Sequence, residues 1–300
     1  MNKRILFFAL IVIVIGSMLL GACKPKAPGL GTEENPIIWA VVPSGETERV
    51  VAGFEQVSKM LFDETGLVIK PLVATEYAGV IEALASDPPK AHMASLATFA
   101  YILAAEKGVA QAELVAQRFG SAVYNGQIFT RKDSGLNTIA DLKGKAFCRP
   151  DPLSTSGWII PSITLKAAGI NPDTDLTIVD AGSHDAAVAG VYNGDCDAGS
   201  SYVDARSRVE GDFPDVMDVI QVIEVSVDIP NDGVQYHPTF PKEMREKINA
   251  ALIAMGTTEA GAAILKEAYQ WDSLAAYDDT FYDPFRQILD AAGVNVQDLQ

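Results

Sequence analysis

The residues best placed to do chemistry are Asp151-Pro152-Leu153-Ser154-Thr155-Ser156-Gly157-Trp158. A strand-like run, Lys145 to Cys148, leads in, and a helical run, Trp158 to Ala168, leads out. Three hydroxyls therefore sit where a strand hands over to a helix. The first turn of a helix has unpaired N–H groups and the positive end of its dipole. Hydroxyls gathered there make a site for a tetrahedral oxyanion. One Ser would be accounted for by N-capping alone; three hydroxyls followed by Gly exceed what a cap requires. A second such point is Gly182-Ser183-His184-Asp185, which follows the strand-like run Leu176 to Val179. His184 can donate a hydrogen bond to an anion there. Neighbouring residues on a helix point about 100° apart, so Ser183, His184 and Asp185 cannot form a hydrolytic relay. There is no G-x-S-x-G elbow. An esterase would instead need Ser156 and His184 to pair at hydrogen-bond distance.

Composition removes other classes. The 300 residues carry 23 Lys and Arg against 39 Asp and Glu, a formal charge of −16, so no nucleic-acid partner is expected. Neither CxxC nor HExxH occurs, and the three His are scattered, so no metal or cofactor is expected.

The elements that position these residues follow an α/β rhythm. Pro36 to Val42 reads as a buried strand, with Ser44 as a candidate cap for the helix carrying Val50, Val51, Phe54, Val57, Met60 and Leu61 at helical spacing. Strand Val68 to Val73, a helix from Glu76-Tyr77, strand His92 to Leu96 and helix Phe99 to Ala104 complete β-α-β-α-β-α. Tyr124 to Arg131 reads as a long strand crossing to a second lobe. There the rhythm restarts: strand 145–149, the Ser-Thr-Ser turn, helix 158–168, strand 176–179, helix His184 to Tyr192, strand Ala198 to Tyr202. The extended stretch Val219 to Val227, ending at Ile229-Pro230-Asn231-Asp232-Gly233, carries the chain back, and the remainder reads as largely helical. The expected organisation is lobe I from 36–124 plus 232–300 and lobe II from 125–231. Each lobe is a mainly parallel sheet flanked by helices, with two hinge crossings and a cleft between, at the carboxyl ends of the strands.

The N-terminus reads as a targeting segment. Lys3 and Arg4 precede an apolar run from Ile5 to Leu20, then Leu20-Gly21-Ala22-Cys23. The last four residues resemble a bacterial lipobox, which implies that residues 1–22 are a lipoprotein signal peptide and that Cys23 is lipidated. The mature charge would then be 21 − 39 = −18. Residues 23–35, rich in Pro and Gly, read as a tether, and the protein is expected on the extracytoplasmic face of the cell membrane. In that compartment disulfides persist. Cys148 and Cys196 are the remaining cysteines, near the first and third strands of lobe II. They form either a bridge or two buried thiols, because Cys148 lies late in its strand and Cys196 precedes the other.

The segments DPLSTSGWIIPS, GSHDAAVAGVYNGDCDAG and IPNDGV, in this order, are similar to the phosphate/phosphite/phosphonate substrate-binding proteins of ABC transporters, the PhnD-type family. The likeness extends over roughly 37–256, including LFDETGLVIKPLVATEYAGVIEAL and TRKDSGLNTIADLKGKAF. It implies a type II periplasmic-binding-protein clamshell with no enzymatic activity, which takes a phosphorus oxyanion and delivers it to an ABC permease. By motif, Ser154, Thr155, Ser156 and His184 would grip the phosphoryl oxygens. Tyr77 and Tyr124 would close over the ligand, and Asp204 and Asp232 would hold an ammonium group where the ligand has one. Tyr101 reads as a packing residue. The alternatives are a secreted phosphoesterase or phosphonate hydrolase on the same oxyanion site, and a sensor-only binding protein.

Overall fold

A computed structural model describes residues 28–296. The expected signal peptide, Cys23 and the first part of the tether lie outside the described residues. Among the described residues eleven strands form two sheets: β1 (Ile37–Val41), β2 (Ile69–Val73), β3 (Met93–Ser95), β4 (Gln111–Gln117), β5 (Val123–Arg131), β6 (Ala146–Arg149), β7 (Thr177–Asp180), β8 (Ala198–Tyr202), β9 (Ile220–Pro230), β10 (Gly233–Tyr236) and β11 (Ser273–Ala276). The first sheet has the order β11-β4-β10-β3-β1-β2 and the second β7-β6-β8-β5-β9. Strands β2, β1 and β3 are parallel neighbours, and β10 and β11 run against β3 and β4. In the second sheet β7, β6 and β8 are parallel neighbours, and β5 runs against both β8 and β9. Both sheets are thus mixed, with most strands pointing one way and helices packed on them.

The run Ile-Ile-Trp-Ala-Val of β1 is almost wholly buried, as expected of a strand covered on both faces. One cover is the helix Thr47–Thr65, whose buried residues Val50, Phe54, Val57 and Leu61 share one face. Phe54 meets Trp39 edge-on at 5.0 Å and Trp271 at 6.0 Å. The cap of this helix is Glu46, whose carboxylate accepts from the N–H groups of Glu48 and Arg49. Ser44, the cap read from sequence, is left to face the space between the lobes.

The sequence pattern does not reveal strands β4, β10 and β11. Gln111–Gln117 lacks clear alternation, and Gly233–Tyr236 is four residues buried on both faces. The fit of β10 depends on a tertiary contact: Gln235 Oε1 accepts from Leu96 N–H at 2.9 Å. The chain leaves the first sheet after Gln117, enters the second at Val123, and returns between Pro230 and Gly233. Val123 pairs with Pro230 across β5 and β9, so the two crossings lie side by side. Residues 28–35, the end of the expected tether, lie against the first lobe, with Val68 N–H donating to the Gly31 carbonyl at 2.9 Å.

In the second lobe a disulfide joins Cys148 to Cys196, with Cα atoms 5.7 Å apart. Cys148 pairs with Gly199 in the register of β6 and β8, so the strand offset noted above is real. It is absorbed by the turn that follows the helix His184–Asn193, where the N–H groups of Asp195 and Cys196 both donate to the Gly190 carbonyl. Position 190 has to be Gly, because a Cβ there would stand 2.9 Å from Cys148 Sγ. The bridge spans 48 residues, and a loop of that size is worth roughly 2–4 kcal/mol. The double substitution Cys148→Ala, Cys196→Ala is expected to lower unfolding stability by about that amount, read as a lower urea midpoint with a steeper slope, because the unfolded chain without its cross-link exposes more surface.

Candidate ligand-binding site

A cleft of about 740 Å³ lies between the lobes. It is lined from the second lobe by Ser154, Ser156, His184 and Tyr202, from the first by Ser44, Tyr77 and Tyr269, and at the crossings by Arg118, Tyr124 and Asp232. Loops at the ends of parallel strands build it, because there the chain turns from strand to helix with its N–H groups unpaired.

After β6 the chain makes a wide π-type turn, Thr155–Ile159, in which the N–H groups of Trp158 and Ile159 both donate to the Ser154 carbonyl at 2.9 and 3.0 Å. Ser154 Oγ accepts from Gly157 N–H at 3.2 Å. A Cβ at position 157 would stand 2.5 Å from the Pro150 ring, so only Gly lets the turn close. Ser154 and Ser156 are buried and line the cleft. Thr155 does not line it. Its Oγ1 reaches the other lobe and accepts from Phe99 N–H, in the first turn of the helix Thr98–Glu106, at 2.9 Å.

His184 begins the helix His184–Asn193, with Ser183 as its cap. Its Nδ1 lies 2.7 Å from Ser201 Oγ and its Nε2 3.3 Å from Ser154 Oγ. Burial, with Arg118 nearby as the lesser cause, lowers its pKa to about 3, so the ring is neutral. If Ser201 donates to Nδ1, the ring's one proton is on Nε2, facing Ser154 and the cleft.

Tyr77 starts the helix Tyr77–Ala85; it is buried and lines the cleft. Burial pushes its hydroxyl well up, against an interaction with Ser154. Burial likewise raises Tyr124 to about 12, against hydrogen bonding with Ser156. Tyr202 and Tyr269 are also raised by burial. All four phenols keep their protons and can donate. Tyr101 is a core residue: its hydroxyl donates to Asp279 at 2.6 Å, and its ring lies 4.6 Å from Tyr282.

The two acidic candidates occupy different surroundings. Asp204 is exposed at the cleft mouth with φ 69°, and its carbonyl accepts from Ser207 N–H at 3.0 Å. Asp232 is buried and paired with Arg118, and Trp271 Nε1 donates to its second oxygen at 3.4 Å. Arg118, Tyr202, Tyr269 and Ser201 were missed in the sequence. Arg118 directly follows β4, a strand the pattern does not reveal; Tyr269 and Tyr202 close an ordinary helix and strand.

The lobes touch across the cleft. Tyr77 N–H donates to Asp151 at 3.0 Å, His184 N–H to the Ser44 carbonyl at 3.2 Å, and Glu46 N–H to Asp185 at 3.2 Å, where Arg49 also pairs. Ser154 and His184 do approach each other, but the partner on the far side of the ring is a hydroxyl, not a carboxylate. A ring that resists protonation down to about pH 3 makes a poor general base. The arrangement is a ring of neutral donors suited to holding an oxyanion.

The family model described as ABC transporter, phosphonate, periplasmic substrate-binding protein matches residues 39–282. The chain belongs to this family. Its members bind substrate for ABC importers, and it is a phosphonate/phosphate-type binding protein rather than an enzyme. It is 26% identical over 316 residues to the phosphate-import protein PhnD of Mycolicibacterium smegmatis, covering 97% of both chains. It is 25% identical over 229 residues to the phosphonates-binding periplasmic protein of Escherichia coli K12, covering 74% of this chain and 67% of that one. Among solved structures, a binding component of an ABC phosphonate transporter from Pseudomonas aeruginosa superposes with a TM-score of 0.79 at 22% identity, over 86% of this chain and 87% of that one. PhnD1 of Prochlorococcus marinus in complex with methylphosphonate gives 0.75 at 15% identity, over 86% and 98%. These likenesses establish the two-lobed type II fold.

The buried His184 of this binding protein has a consequence for stability. Unfolded, the ring takes up a proton below its ordinary 6.5; folded, it stays neutral down to about 3. Between these values the unfolded state binds more protons, so stability falls as pH drops from about 6.5 toward 3. His184→Gln is expected to remove part of that fall. The check is urea unfolding of both proteins at pH 7 and pH 4.5, where the substitution should shrink the difference by on the order of 1–3 kcal/mol.

Proposed function

We propose that this family member is a receptor anchored to the membrane through Cys23, which captures phosphate, phosphite or a phosphonate between its lobes and delivers it to an ABC permease. In this reading 36–124 with 232–300, and 125–231, are the two bodies that close on the ligand. The observation that carries the proposal is the convergence of Ser154, Ser156, Tyr77, Tyr124 and His184 on one cleft, every one of them neutral and able to donate. A phosphorus oxyanion presents at least three acceptor oxygens and needs such donors once it leaves water. Thr155 supports the site from behind by tying the turn to the opposite lobe. In this reading Asp204, exposed and lining the cleft, is a residue for the ligand's substituent rather than for its phosphoryl group. The names of the relatives point the same way, one a phosphate importer and one a structure holding methylphosphonate.

Calorimetry of the full chain against phosphate, phosphite and methylphosphonate tests the reading. Ser154→Ala and Ser156→Ala each remove a hydroxyl from a charged oxygen and are expected to weaken binding by about 1.5–3 kcal/mol. Affinities equal to wild type in both variants would place the ligand elsewhere. The anchor is tested separately. Cys23→Ser is expected to move the protein from the membrane to the soluble fraction and to abolish a lipid adduct seen by mass spectrometry. Unchanged partitioning with no adduct in the wild type would remove the anchor and leave the ligand assignment intact.

A further inference from the structure

The charge inside the cleft is not the charge of the surface. Four carboxylates line it: Asp204, Asp228, Asp232 and Asp272. Asp204 and Asp228 are exposed at the mouth, where water and salt screen them. Asp272 accepts from Phe119 N–H at 2.6 Å and from Lys266 at 3.2 Å. Asp232 is the buried one, and it is held by Arg118. The guanidinium of Arg118 also donates to Asn231 Oδ1 at 2.6 Å and to the Tyr269 carbonyl at 3.1 Å, and lies 6.0 Å from the centre of the Tyr124 ring. These bonds use three of its five N–H groups, so the side chain is fixed in place while still lining the cleft.

We propose that Arg118 sets which phosphorus oxyanions the cleft accepts: by occupying Asp232 it makes the site select ligands whose substituent carries no positive charge. The proposal rests on the reading that the phosphoryl group sits at Ser154, Ser156 and His184. A free buried carboxylate at Asp232 would attract an ammonium group and repel a phosphoryl dianion. Paired with Arg118, its charge is offset and it does neither. A ligand ammonium would have to displace Arg118 from three acceptors and then sit beside it, like charge against like charge. An uncharged substituent meets no such barrier, and a cleft of about 740 Å³ has room for it beside the phosphoryl group.

The experiment compares two ligands of equal length that differ by one ammonium, ethylphosphonate and 2-aminoethylphosphonate, with phosphate as a third probe. Affinities are measured by calorimetry on the full chain in detergent at fixed pH and salt. The wild type is expected to prefer ethylphosphonate by about ten-fold or more. Arg118→Met, which frees Asp232, is expected to narrow or reverse that ratio, and Asp232→Asn, which leaves Arg118 unopposed, to widen it. Circular dichroism checks that each variant is folded; should Arg118→Met not fold, the direction of the Asp232→Asn change decides. Equal or tighter binding of 2-aminoethylphosphonate by the wild type would overturn the proposal while leaving a phosphorus-oxyanion receptor in place. So would folded variants that keep the wild-type ratio. Failure of all three probes to bind would remove the phosphorus-oxyanion reading, and this proposal with it.

Discussion

The N–H groups at the starts of three helices find their partners on the opposite lobe, and the closed cleft depends on this. Tyr77 N–H reaches Asp151, Phe99 N–H reaches Thr155 Oγ1, and His184 N–H reaches the Ser44 carbonyl. The opening N–H groups of a helix have no partner within it. When such a group is buried it must be paired or cost free energy. With the lobes apart, water satisfies these groups; with the lobes together, each needs a protein acceptor. The net gain is modest for the two neutral acceptors and larger for the Asp151 carboxylate, and a ligand in the cleft shifts the equilibrium further. The residues that join the lobes are neighbours in sequence of those that face the cleft: Thr155 between Ser154 and Ser156, Asp185 beside His184.

A protein of formal charge −16 that gathers an anion must separate its local field from its overall field. Bulk charge is screened over about 10 Å at ordinary salt, whereas buried dipoles act at contact distance. The neutral state of His184 is part of this device. A charged imidazolium buried at the same place would need its own counter-ion, and that counter-ion would compete with the ligand. A neutral ring offers one N–H proton without that requirement, and the proton points to the cleft when Ser201 donates to Nδ1. The raised phenols of Tyr77 and Tyr124 serve similarly, as donors that do not become anions at working pH.

Much of this site was legible in the sequence, and the limits have a physical origin. The Ser-Thr-Ser turn and the His184 turn announce themselves because strand-to-helix junctions have local signatures: an apolar run, hydroxyl or Gly residues, then helical spacing. The parallel cores β1–β3 and β6–β8 follow from the same signals. Strands β4, β10 and β11 do not, because their pairing is long-range. Gly233–Tyr236 becomes a central strand only by fitting between β3 and β4. Arg118 was lost with β4: the sequence shows an Arg before Phe-Gly but not that Asp232, 114 positions on, lies within hydrogen-bond reach. Asp232 is expected from the sequence as a site position and lines the cleft, but its engagement by Arg118 is invisible there. A charge balance made of distant residues cannot be read from local pattern.

The same pair joins selectivity to the hinge. The first crossing is a tight turn in which Arg118 and Ser121 exchange backbone hydrogen bonds at 2.9 and 3.0 Å, with Phe119 and Gly120 both at positive φ. The second crossing is little more than Asn231 and Asp232. Asn231 N–H donates to the Ala122 carbonyl at 2.8 Å and its side chain to the Ser121 carbonyl at 3.2 Å. Arg118 then ties both residues of the second crossing to the end of the first. The crossings are therefore laced into one unit, and the groups that lace them also border the cleft. A clamshell whose hinge stood apart from its ligand could alter specificity without altering its motion. Here a change at Asp232 or Arg118 alters both, because the ion pair that sets the charge of the cleft also holds the two crossings together.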